Sequence, residues 1–201
     1  YQTHWPAIEP LKTPIADTMA CLMDLKAQGK IRAIGVSNVS LDELKENDAA
    51  GELSSCQLRY SMLTRHAEDD ILPYCLKHNI ATLTYMSLEQ GLLTGKIGMD
   101  RVFSKDEFRS DLSWNPWFAL ANRQRVLDLL AGWQELTATY RCTLAQLVLA
   151  WTLGQPGVTH VLAGARKTSQ IEENVAAADL DIAAQDLDRM RRDIEALGTP
   201  A

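Results

Sequence analysis

The sequence predicts an α/β fold in which a parallel sheet is covered by helices. Short β-branched and aromatic runs alternate with longer segments of helical period along the whole chain. The helical segments open on capping residues, and the first of them stops at a glycine. There is no low-complexity segment and no repeat beyond the strand–helix rhythm, and that rhythm implies parallel pairing.

Tyr1 to Trp5 reads as a short strand ending at Pro6. Thr13-Pro14 opens a helix, Thr as cap and Pro at the first helical position, with Ile15, Met19, Leu22 and Leu25 as its apolar stripe and Gly29 as its stop. Ile31–Val36 is the second strand, and Ser40-Leu41-Asp42-Glu43 is a capping box that starts a short helix. Ser55–Tyr60 is the third strand. Asp70–His78 is helical with Ile71, Leu72 and Leu76 inward, and Ile80–Tyr85 is the fourth strand.

Residues 91–120 break the rhythm with glycines, charges and the run Trp114-Asn115-Pro116-Trp117-Phe118, and read as an excursion loop of the lid or binding kind. The aromatic run serves either as loop packing or as a pocket wall. Helices follow over 121–138 and 143–153, and Thr159–Ala163 is the fifth strand. Ser169-Gln170-Ile171-Glu172 caps a further helix, and a last one carries Leu187, Met190, Ile194 and Leu197 on one face. Five strands cannot close a barrel, which needs about eight, so an open sheet and a truncated barrel both meet the count.

The bulk numbers narrow the function. The 201 residues suit one domain or part of a larger one, with 46% apolar and 23% charged residues, an ordinary globular mix. A net charge of −6 disfavours a nucleic-acid partner. No apolar stretch reaches membrane-span length and no signal peptide is visible, so the expectation is a cytoplasmic protein with no membrane partner. Cysteines 21, 56, 75 and 142 lack metal-ligand spacing and read as free, buried and inert thiols; Lys167, Arg191 and Arg192 read as solvated surface. The opening at Tyr1 looks like the middle of a strand, which suggests missing upstream sequence.

In parallel α/β folds ligands bind beyond the carboxyl ends of the strands. Polar or aromatic residues stand at all five predicted ends: His4, Ser37-Asn38, Gln57 to Ser61, Tyr85 to Gln90, and Gly164 to Arg166. A carboxamide needs donors and acceptors, which Ser37, Asn38 and Gln57 supply, and a flat ring needs a flat partner such as Tyr85. Gly164 allows close backbone approach, the helix start after it can receive an anion, and Arg166 with Lys167 adds positive charge. Gln170, Glu173 and Asn174 share one helix face, suited to a purine edge or ribose.

These residues carry a resemblance. Gly35-Val36-Ser37-Asn38, Gln57 with Tyr60, Gln90-Gly91-Leu92-Leu93-Thr94-Gly95-Lys96, Gly164 through Asn174, and Gln2-Thr3-His4-Trp5-Pro6 together resemble the aldo-keto reductase family. Asp106-Glu107-Phe108-Arg109 looks more like its bacterial and plant branch, related to potassium-channel β subunits. The resemblance implies a (β/α)₈ TIM barrel, here the C-terminal five β/α units, strands four to eight, of an incomplete barrel. It makes residues 1–201 a partial barrel domain without strands one to three. It implies hydride transfer from NADPH to an aldehyde or ketone, with His4 as the catalytic histidine that orients and polarises the carbonyl. It puts Ser37, Asn38 and Gln57 on the nicotinamide amide and Tyr85 on its ring. Met86, Ser87, Leu88, Gln90, Leu92 and Lys96 would form a pyrophosphate strap, joined by Arg109. Arg166 would face the 2′-phosphate, with Gly164, Gln170, Glu173 and Asn174 at the adenosine end.

The chain departs from the family's pattern in two ways. The family's acid tyrosine, lysine and aspartate lie upstream of the histidine, so this chain has no positions for them. Met86 and Ser87 stand where Ser and Pro are common. Inactivity as a truncated chain, an inactive gene remnant, is therefore one reading, and a non-catalytic NADPH-binding or regulatory module is another. An aldolase or isomerase barrel would share Gly164 but lacks a Schiff-base lysine at a strand end. A barrel missing three strands has two open edges, so self-association is expected.

Overall fold

A side chain at the first residue of strand β1 (Gly35–Ser37) would displace its neighbours: a Cβ on Gly35 would lie 2.3 Å from Ser55 Oγ and 2.8 Å from Gln2 Oε1. The computed structural model describes residues 1–8, 10 and 12–201. Strands β1, β2 (Ser55–Arg59), β3 (Ala81–Tyr85) and β4 (His160–Val161) form a parallel sheet in that order. Ser37 pairs with Gln57, Arg59 with Tyr85 and Leu83 with His160.

All five predicted strands shorten, Ser55–Tyr60 and Ile80–Tyr85 by one residue each and the other three as follows. Tyr1–Trp5 is reduced to a parallel bridge from Gln2 to Gly35, because the chain bends at His4 and Trp5. Ile31–Val36 becomes Gly35–Ser37, since β2 begins opposite Gly35, at Ser55. Thr159 leaves the last ladder because side chains replace it there. Thr82 N donates to Thr159 Oγ1 at 2.8 Å, and Thr159 N donates to Thr82 Oγ1 at 2.9 Å.

The chain forms two compact units. The first is Tyr1–Tyr60, Thr64–Tyr85 and Gln155–Leu162, the second Ser61–Leu63, Met86–Gly154 and Ala163–Ala201.

The first unit holds the sheet and helices α1 (Ile15–Ala27), α2 (Leu41–Ala50) and α3 (Ile71–His78). Thr13 does not cap α1. Pro14 is itself the extended cap residue, and the helix has no side-chain cap. Met19 and Leu22 are buried from the predicted stripe, Ile15 and Leu25 half-buried, and Gly29 at φ +70° stops the helix. The Ser40–Glu43 capping box forms as read. In α3 the buried stripe runs through Ile71, Leu72 and Cys75, which leaves Leu76 on its rim and 63% exposed rather than inward.

The second unit holds α4 (Leu120–Ala131), α5 (Gln134–Tyr140), α6 (Leu144–Leu153), α7 (Thr168–Val175) and α8 (Ala184–Leu197). The single helix predicted over 121–138 breaks at Gly132-Trp133. Trp133 turns into the core, and its indole N–H donates to Asp193 Oδ2 at 2.9 Å. Met190 and Ile194 of α8 are buried; Leu187 and Leu197 are half-buried. Ser169 does not cap α7. Lys167 is the cap residue, and Gln170 Oε1 accepts from the N–H groups of Arg166 and Lys167 at 2.7 and 3.2 Å. Arg191, expected in solvent, lies half-buried with its guanidinium 4.8 Å from the Trp151 ring centre.

Between residues 95 and 119 the backbone has only two short 3₁₀ turns, Phe108–Ser110 and Pro116–Phe118. Trp117 and Phe118 pack inward while Trp114 is 57% exposed. Arg123 of α4 holds this segment from below. Its guanidinium is buried and donates to the carbonyls of Gly98, Arg101 and Phe118 at 3.2, 2.7 and 3.0 Å. Cys56 and Cys75 are buried thiols, but Cys21, expected inside, is exposed. No helix among the described residues is long and apolar enough to cross a membrane.

Candidate functional site

In the first unit the carboxyl ends of β1, β2 and β3 bring Ser37, Asn38, Gln57 and Tyr85 together. Parallel register puts Ser37 beside Gln57, and Asn38 N donates to Gln57 O at 3.2 Å. Asn38 takes the left-handed conformation at φ +57°, which asparagine tolerates better than most residues. Its side chain spans the site: Nδ2 donates to His4 O at 2.9 Å, and Oδ1 accepts from the Tyr85 hydroxyl at 2.6 Å. Gln57 Oε1 accepts from Gln2 Nε2 at 2.8 Å, which leaves the Gln57 N–H₂ pointing away from that bond. Burial pushes the Tyr85 phenol upward in pKa, with Arg59 opposing, so it stays a donor at neutral pH.

Ser37 is the most informative of these residues. It is 1% exposed, yet its Oγ has no hydrogen-bond partner. A buried hydroxyl without a partner costs free energy, so a ligand supplying a partner there is favoured. With the Gln57 amide beside it, the cluster offers a donor–acceptor set that fits a primary carboxamide. His4 follows the Gln2 bridge with its side chain exposed, 5.9 Å from the Trp5 ring.

In the second unit two groups gather. The first is the segment after β3. Met86, Glu89 and Gln90 all have positive φ, at 57°, 44° and 52°, and Gly91 follows at 97°. Ser87 is buried, Leu88 and Gln90 are half-buried, and Leu92 has its side chain fully in the core, so only its backbone is available to a ligand. Gln90 Nε2 donates to Asn115 Oδ1, and Asn115 Nδ2 donates to the carbonyls of Phe108 and Asp111. Arg109 is committed elsewhere: it is paired with Glu107 and lies 4.7 Å from the Phe103 ring centre.

The second group is the 164–174 segment. Gly164 has open space where a Cβ would stand, and Arg166 is exposed with no guanidinium hydrogen bond among the described residues. Gln170, Glu173 and Asn174 lie on one stretch of α7, half-buried. Lys96 Nζ approaches Glu173 Oε2 at 3.7 Å, and Glu173 Oε1 is buried without a partner. A cation beside an unsatisfied acceptor, here in the last turn of α7, can receive phosphate and a purine amine. Among the described residues no group of three or more His, Cys, Asp or Glu could hold a metal.

Sequence reasoning passed over Gln2, Glu89 and Asn115, which hold Gln57, the strained turn and Gln90. Gln2 and Asn115 carry no pattern of their own, and Glu89 becomes visible only once its burial is known.

Comparison with known proteins agrees with these motifs. Residues 1–195 match the aldo/keto reductase family. The NADH-specific methylglyoxal reductase of Escherichia coli (strain K12) is 43% identical over 197 residues, which cover 98% of this chain and 59% of that protein. The glycerol dehydrogenase AKR11B4 of Gluconobacter oxydans superposes over all of this chain and 59% of its own, with TM-score 0.88 and 33% identity. An aldo/keto reductase of Klebsiella pneumoniae in complex with NADP and acetate matches over 96% of this chain and 57% of its own, with TM-score 0.67 and 25% identity. The chain thus spans about three-fifths of the length of these relatives and has the α/β fold of their barrels. It belongs to the aldo/keto reductase family.

Proposed function

We propose that this chain takes part in reducing an aldehyde or ketone with a nicotinamide dinucleotide, preferably NADPH. One observation carries the reading: the buried, unpartnered Ser37 hydroxyl beside the Gln57 and Asn38 amides at the carboxyl ends of parallel strands. When bound, the dinucleotide supplies the hydride. Ser37, Asn38 and Gln57 fix the carboxamide, which sets the face of the ring offered for transfer. Tyr85, its hydroxyl tied to Asn38, offers its ring for stacking. His4 donates a hydrogen bond to the carbonyl oxygen, orienting it and stabilising the charge that grows there.

The strap residues Met86, Ser87, Leu88, Gln90 and Leu92 supply backbone and amide contacts to the pyrophosphate, and Lys96 supplies charge; Arg109, paired with Glu107, leaves the strap. Gly164 gives the backbone room to approach. Arg166 faces the 2′-phosphate, and Gln170, Glu173 and Asn174 take the adenosine. The name of the Escherichia coli relative makes methylglyoxal the first carbonyl to try. That relative is NADH-specific by name, so the preference for NADPH is the point to test.

The experiment follows NADPH and NADH oxidation by absorbance with methylglyoxal, and binding of each dinucleotide by fluorescence. Arg166→Ala is expected to weaken NADPH binding about 10-fold, the loss of one charge-assisted phosphate contact, and to leave NADH unchanged. Equal effects on both would remove Arg166 from the 2′-phosphate. Binding without turnover would assign a nucleotide-binding role in place of a catalytic one.

A further inference from the structure

Four residues of the turn after β3 sit in the left-handed region, and three of them are not glycine. Met86, Glu89 and Gln90 have φ of 57°, 44° and 52°, ahead of Gly91 at 97°. Each non-glycine residue there is strained, so the turn needs outside support. Part of it is local: Glu89 N donates to Met86 O at 2.7 Å, and Gly91 N and Leu93 N both donate to Leu88 O. Side chains of the turn add to it. Gln90 reaches Asn115, and Glu89 turns inward.

Glu89 is a carboxyl residue only 1% exposed, a rare state for glutamate. Its Oε1 accepts from the hydroxyl of Ser61, which is itself fully buried. That hydroxyl in turn accepts from Leu63 N at 3.1 Å, which fixes the Ser61–Leu63 turn of the same unit. The effect of Glu89 is to tie the strained turn to a second backbone segment through one short relay.

We propose that Glu89 is a positioning residue: its bond to Ser61 holds the left-handed turn in the shape that lets Leu88 and Gln90 grip the dinucleotide's central phosphates. This rests on the reading of the turn as a pyrophosphate strap. The consequence follows from population. If the bond is lost, the strained turn relaxes, and only the fraction still correctly shaped binds; the apparent Kd rises by the inverse of that fraction.

The test titrates the full chain and three variants with the tighter-binding of NADPH and NADH, and with its adenosine fragment, 2′-AMP or adenosine respectively, which carries neither central phosphate. Glu89→Ala and Ser61→Ala should each raise the dinucleotide Kd about 10-fold or more, and the fragment Kd by less than about 2-fold. Glu89→Gln, which keeps a carbonyl acceptor for the serine hydroxyl, should stay within about 3-fold of the parent for both ligands. A general loss of structure would weaken both ligands together, and that result overturns the proposal. So does a folded Ser61→Ala with unchanged dinucleotide affinity, which decides the matter if Glu89→Ala does not fold. Should the parent chain bind no dinucleotide, the strap reading itself fails, an outcome separable from equal binding by parent and variants.

Discussion

Replacing Arg123 should loosen the 98–118 excursion while leaving the helices in place. The side chain is 4% exposed, and its guanidinium serves three carbonyls, those of Gly98, Arg101 and Phe118. The Phe103 ring centre lies 5.1 Å from it. Burial lowers its pKa from the ordinary arginine value, so the charge is held at a desolvation cost and the carbonyls offset that cost. Arg123→Met keeps the apolar stem and removes all three bonds. Hydrogen bonds to a charged group are worth about 1.5–3 kcal/mol each. Gly98 and Arg101 lie near the surface, so their carbonyls recover water, and relief of desolvation returns part of the rest. A net loss of about 3 kcal/mol is expected, a fall in Tm of roughly 6–12 °C for a chain of this size. Arg123→Lys should lie between, because a point ammonium cannot serve three carbonyls as a planar fork does. Calorimetry reads the stability, and amide exchange by mass spectrometry reads the site. Peptides covering 98–118 should lose protection before those of α6. A Tm within about 2 °C of the parent, with unchanged exchange in the excursion, would refute the reasoning.

Two further outcomes follow from local geometry. Gly157→Ala places a Cβ 2.7 Å from the Leu72 carbonyl oxygen at φ +86°, so clash and strain add; a loss of about 2–4 kcal/mol is expected by denaturant unfolding. The Tyr74 phenol is pushed up to about 12, chiefly by desolvation and then by its bond to Asp48. Its folded pKa exceeds its unfolded one, so the stability it contributes is intact below about pH 10 and is lost as pH rises toward 12. Tyr74→Phe should flatten that part of the alkaline unfolding curve; an unchanged slope would count against it.

Much of this fold can be read from residue order. The capping box at Ser40 formed as read because its two bonds are local to one turn. The strands were overextended because ladder length depends on the neighbour: Gly35–Ser37 begins only where β2 begins, and Thr82 with Thr159 swaps backbone bonds for side-chain ones. The helix over 121–138 broke at Trp133 for a tertiary reason, the burial of its indole against Asp193, which no periodicity reports. At the candidate site the strand-end residues were legible because parallel sheets present ligands there. The supports were not: Gln2 on Gln57, Asn115 on Gln90 and Ser61 on Glu89 join residues 25 to 55 positions apart. The expected free surface cation Arg191 was drawn over Trp151 in the same way.

The central claim is that one dinucleotide engages both the strand-end amides and the 164–174 segment. Amide NMR during a titration with NADPH, repeated with NADH, tests it most directly. Asn38, Gln57, Gly164 and Asn174 should shift together with a single midpoint and one ligand per chain. Shifts confined to one of the two groups, different midpoints for each, or no shift at all would contradict the account.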